Sequence, residues 1–99
     1  MLKHVYILNY YTFNTEKKKV IGEDIVIGYF TDVKLAINEL KKIIANYPNQ
    51  TFDDSFNYWW ILRDGNWDHV YEIIEVDLNT TSYSNSIRRK MNLKELAGN

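Results

Sequence analysis

Apolar and polar positions alternate with a period of two along the first third of the chain. Val5, Ile7, Tyr11 and Phe13 share one parity, and Tyr6, Leu8, Tyr10 and Thr12 share the other. Both sets are β-formers, so residues 5–13 read as a strand covered on both faces. The lysine-rich stretch Asn14 to Glu23 suits an exposed, mobile hairpin connection. Asp24 to Phe30 then gives a second strand, with Ile25, Ile27 and Tyr29 on one side and Val26, Gly28 and Phe30 on the other. A glycine within a strand marks a bulge or a close backbone approach.

The period changes to that of a helix after Phe30. Thr31 is the expected N-cap, with Asp32 placed against the positive helix end. Val33, Ala36, Ile37, Leu40, Ile43, Ile44 and Tyr47 form the apolar stripe, and Pro48 ends it. A polar loop over 49–55 leads to a third strand, Phe56 to Arg63. Asp64-Gly65-Asn66 signals a hairpin turn, and Trp67 to Leu78 supplies the return strand.

The order β-β-α-β-β, with one main helix, predicts an α+β two-layer sandwich on an antiparallel four-stranded sheet. The helix covers one face, and a homodimer through the uncovered, aromatic face is the expected assembly. Residues 1–79 form the domain. Residues 80–99 read as a polar linker and a basic C-terminal segment, helical over about Ile87 to Leu96.

Composition narrows the function. The chain of 99 residues has room for one core, and it has no cysteine, which excludes disulfides and thiolate metal sites. Neither a long apolar span nor a signal-peptide pattern is apparent, so the expected location is cytoplasmic. His4 and His69 lack metal-ligand spacing, the glycines cradle no phosphate, and no serine stands in a nucleophile elbow. No enzyme, metal or cofactor is expected.

The net charge of −1 conceals a division. Asp53, Asp54, Asp64, Asp68, Glu72, Glu75 and Asp77 are opposed between 53 and 77 only by Arg63, whereas Arg88, Arg89, Lys90 and Lys94 crowd the C-terminal segment. Aromatic rings beside carboxylates suit a protein-docking surface that anchors a basic partner. The candidate partner-binding residues are Tyr58, Trp59, Asp64, Trp67, Asp68 and Tyr71. The alternative is a dimeric nucleic-acid-binding accessory protein that uses Lys17, Lys18, Lys19, Arg88, Arg89, Lys90 and Lys94 on phosphates.

The run Val5-Tyr6-Ile7-Leu8, then Ile27-Gly28-Tyr29-Phe30-Thr31, Ala36-Ile37 in the helix and a late Trp67 resembles a family of small bacterial and phage β-β-α-β-β domains of uncharacterised activity. The resemblance spans about residues 4–78 and implies the same two-layer architecture without any catalytic residue. With the docking surface, it points to a phage or mobile-element inhibitor of a bacterial defence complex, or to an immunity-type protein.

Overall fold

The computed structural model describes residues 4–78 and 88–97. The elements run β1 (His4–Asn14), β2 (Lys19–Phe30), α1 (Val33–Ala45), β3 (Phe52–Asp53), β4 (Trp60–Asp64), β5 (Trp67–Asp77), β6 (Arg88–Lys90) and α2 (Leu93–Ala97). The architecture is α+β with a largely antiparallel sheet, but among the described residues the sheet has six strands rather than four. Its order is β2-β1-β5-β4-β3, with β6 also paired to β5 beyond the end of β4.

The additional strands arise where local pattern gave way to tertiary pairing. Phe52 and Asp53, expected in a loop, pair with Leu62 and Ile61. The aromatic run expected to open the third strand instead makes a turn, in which the Trp59 N–H donates to the Phe56 carbonyl at 3.5 Å. The β-propensity of Phe56, Tyr58 and Trp59 is overridden because the rings pack edge-on against one another, with centroids 6.2 Å apart for both Phe56–Trp59 and Tyr58–Trp59. The strand starts at Trp60.

The connection between β1 and β2 is a tight turn, not a long mobile loop. Buried Asn14 accepts the Lys17 N–H through its side chain at 2.8 Å, and Lys18 takes a left-handed φ of 56°. The β4–β5 turn follows the sequence expectation, with Gly65 at φ 60° as its first central residue. Helix α1 begins one residue later than expected. Asp32, with φ −133°, is the N-cap, and its carboxylate accepts the Lys34 N–H at 2.9 Å.

Beneath the helix lies one core. Leu8, Ala36 and Ile73 are fully buried and Leu40 nearly so, with Tyr71, Val33, Met91 and Leu96 closing the cluster. The last two residues come from the segment expected to be a tail. Residues 88–90 are a strand rather than a helix, because Arg88, Arg89 and Lys90 pair with Val76, Glu75 and Ile74. The Met91 N–H then donates to the Ile73 carbonyl at 2.9 Å, and the Leu93 N–H to that of Asn57 at 2.6 Å. Asn92 and Glu95 form a reciprocal capping box on α2: the Glu95 N–H donates to Asn92 Oδ1 at 2.8 Å, and the Asn92 N–H to Glu95 Oε2 at 3.2 Å. The linker expected over 80–86 lies outside the described residues.

Candidate docking face on the open side of the sheet

Strand parity sorts the side chains. The register pairs Val5 with Val76, Ile7 with Ile74, Asn9 with Glu72, Tyr11 with Val70 and Phe13 with Asp68, so these ten residues share the face away from α1. Ile61 and Arg63 of β4 join them. No helix among the described residues covers this face. A groove of about 430 Å³ runs along it, lined by Tyr11, Phe13, Val20, Phe56, Trp59 and Val70, with Ile61, Arg63 and Asp68 at its sides. A second depression of about 460 Å³, bounded by Tyr11, Val20, Asp24, Glu72, Ile74 and β6, continues it.

Between the two sits a buried carboxylate. Glu72 is 3% exposed and accepts hydrogen bonds from Asn9 Nδ2 at 3.0 Å and Trp59 Nε1 at 3.1 Å. Lys90 Nζ lies 3.2 Å from Oε2, the same oxygen that accepts the Trp59 N–H, and 5.1 Å from the Trp59 ring centroid, so one ammonium serves an ion pair and a cation–π contact. The same Asn9 amide donates to Asp24 at 3.0 Å. Burial, with Glu72 and Asp24 nearby, pushes the Tyr11 phenol up to about 12.

The charge division along the sequence resolves into internal pairing. Arg63 holds Asp68 at 2.7 Å and Asp53 at 3.0 Å. Arg89 holds Glu95 at 2.7 Å and Glu75 at 3.2 Å. Hydrogen bonds from the Ser55 hydroxyl and N–H, assisted by Arg63, lower the Asp53 carboxyl to about 2. Much of the acidic middle is therefore neutralised by the chain's own cations, and the acids exposed around its rim include Asp54 and Asp64.

The candidate partner-binding residues do not form one patch. Trp59 lines the groove, half-buried, and exposed Tyr58 packs edge-on against it without lining the groove itself. Asp68 is on the same face but buried against Arg63. Asp64, Trp67 and Tyr71 have the opposite parity; Tyr71 packs in the core, and burial, with Tyr47 and Tyr10 nearby, pushes its phenol up to about 12. Sequence reasoning passed over Phe13 and Val20, on β1 and β2, and left Phe56 of the aromatic run out of the candidates, since its place at the groove depends on a turn that folds that run back over the sheet.

The basic residues of the alternative are likewise apart. Lys17 and Lys18 occupy the β1–β2 turn and Lys19 opens β2, whereas Lys90 is level with Ile7, seven residues along β1 from Asn14. At about 3.3 Å per residue that is about 23 Å. Arg89 and Lys90 are also committed to carboxylates.

On the helix side a smaller cleft of about 240 Å³ collects Tyr10, Tyr47, Gln50, Asp64, His69 and Tyr71 with Leu62. His69 Nδ1 is 2.7 Å from the Tyr10 hydroxyl, and its Nε2 is 4.0 Å from Asp64. The Tyr10 hydrogen bond orders the ring of His69, and Asp64 stands beyond hydrogen-bond distance on its other side. His4 opens β1, where its Nδ1 is buried without a hydrogen bond.

No protein-family model matches the chain, and neither the curated proteins nor the solved structures contain a match to it. Among the described residues, no helix is long and apolar enough to cross a membrane, and no group of three or more metal-ligating side chains is gathered.

Proposed function

We propose that the chain is a non-enzymatic protein-binding domain that docks a partner protein in the open-face groove. The observation that carries this reading is the line of Tyr11, Phe13, Val20, Phe56, Trp59 and Val70 around a concave surface beside buried Glu72. Phe56 is 43% and Tyr58 38% exposed even though each packs edge-on against Trp59, which leaves ring surface for a partner. The occupant this favours is a protein segment that sets an apolar or aromatic side chain into the groove and a basic one toward Asp24 in its continuation. An inhibitor of a bacterial defence complex, or an immunity-type protein, carried by a phage or other mobile element, uses a surface of this kind.

Affinity capture from bacterial extract with the wild-type chain and with Phe56→Ala and Tyr58→Ala tests the proposal, with nuclease treatment and two salt concentrations as controls. A discrete protein retained by the wild type through nuclease and salt, and weakened about 30-fold or more by either substitution in a purified assay, supports it. A capture unaffected by both substitutions, or recovery only of nucleic acid that high salt removes, overturns it.

A further inference from the structure

The second surface without an internal partner is an edge. Among the described residues β2 is bonded on one side only, to β1, and at twelve residues it is the longest strand in the sheet. Long edges are normally blunted by proline or by charges along the strand, because their free N–H and C=O groups template pairing with another chain. β2 has no proline, and its charges are Lys19, Glu23 and Asp24. It carries instead five of the eleven large apolar side chains that are exposed among the described residues: Val20, Ile25, Val26, Ile27 and Tyr29. Two bulges, a further device that blunts an edge, interrupt the register with β1: Ile27 is skipped between Gly28 and Val26, and Gly22 to Asp24 stand opposite Tyr11 alone, yet Ile25, Val26 and Ile27 stay exposed.

We infer that β2 pairs antiparallel with β2 of a second copy of this chain, across a two-fold axis at Val26. The sequence is suited to meeting itself there. Ile25-Val26-Ile27 reads the same in both directions, so Ile25 opposes the partner's Ile27 and Ile27 opposes the partner's Ile25. Asp24 and Glu23 fall opposite the partner's Gly28 and the partner's Tyr29, so that no carboxylate faces another. The pairing uses the same patch on both copies and so closes at two. Continued growth into a fibre has no template, because the far side of the sheet ends in β3 and β6, two and three residues long.

This assembly is distinct from a dimer through the open face, although Val20 and Asp24 of β2 also line the groove or its continuation. Light scattering of the full chain over a concentration series is expected to give twice the chain mass. Ile25→Lys and Ile27→Lys, each at an exposed position and each placing lysines at the axis, are expected to give the monomer mass with an unchanged far-ultraviolet spectrum. Val26→Cys is expected to cross-link on mild oxidation, since residues opposed in an antiparallel pair lie about 4.5–5.5 Å apart at Cα, within disulfide reach. A monomer at every concentration, or a dimer that survives both lysine substitutions, overturns the inference. So does a dimer dissolved by Phe56→Asp or Tyr58→Asp and indifferent to the β2 variants, which belongs to the open face.

Discussion

Glu72 has been withdrawn from water, and three donors on three different segments answer for it: Asn9 on β1, Trp59 before β4 and Lys90 on β6. Removing a partner from a buried charge costs more than the pair contributes, because the remaining charge stays desolvated. Lys90 is itself half in solvent, which moderates the loss. Lys90→Met is therefore expected to cost about 2 kcal/mol in urea unfolding. Glu72→Gln, which abolishes the buried charge but keeps an acceptor, is expected to cost less, and its combination with Lys90→Met to cost less than the sum. At Gly28 a Cβ would stand 2.9 Å from the Phe30 ring, so Gly28→Ala must displace that ring and is expected to cost about 1–3 kcal/mol. An unshifted urea midpoint would show that Phe30 yields freely. The close approach at Gly28 is legible in the sequence, since glycine inside a strand is rarely there by default. The special position of Glu72 is not, because its isolation from solvent is produced by side chains up to 63 positions away.

At the scale of elements, β1, β2, α1, β5 and the Gly65 turn were legible because each is written in a local period or a turn residue. The boundaries that moved did so for local reasons, such as Asp32 outcompeting Thr31 as the cap. β3 and β6 were not legible, since strands of two or three residues carry no periodicity and exist only by pairing. For the same reason the groove was only partly legible: the aromatic run stands out in the sequence, but its fold-back turn and its partition between faces do not. The C-terminal segment is bound to the rest of the domain by burial as well as by pairing. Cutting the chain after residue 87 removes Met91 and Leu96 from the core as well as the cations of Glu72 and Glu75. Loss of a buried Leu or Met side chain alone costs about 2–5 kcal/mol, so the shortened chain is expected to lose its cooperative thermal transition. A truncation that melts like the full chain would place α2 outside the cooperative unit. Charge reversal at exposed Arg88 or Lys94 is the appropriate probe of any role for basic residues, as it leaves the core intact.

For the whole molecule, titration brackets the stable range from two sides. Asp53, lowered to about 2, and Glu95, lowered by the Asn92 N–H and Arg89, are depressed carboxyls. Their stabilisation is present above the unfolded carboxylate range, near pH 4, and is lost as pH falls toward 2. Tyr11 and Tyr71 are raised phenols, so their contribution is present below about pH 10 and is lost as pH rises through about 12. Urea midpoints are expected to be level between these limits and to fall beyond both; a midpoint unchanged between pH 10 and 12 would show that neither phenol is desolvated in solution. The strand order also sets a timetable for synthesis. β1 is made first but lies in the middle of the sheet, so its inner edge waits until residues 67–77 leave the ribosome, and Glu72 then waits for Lys90. The nascent chain thus carries an unclosed edge and an uncompensated acid until residues 88–97 arrive, a window in which an elongation pause would expose it to chaperones or to its neighbours on the same messenger.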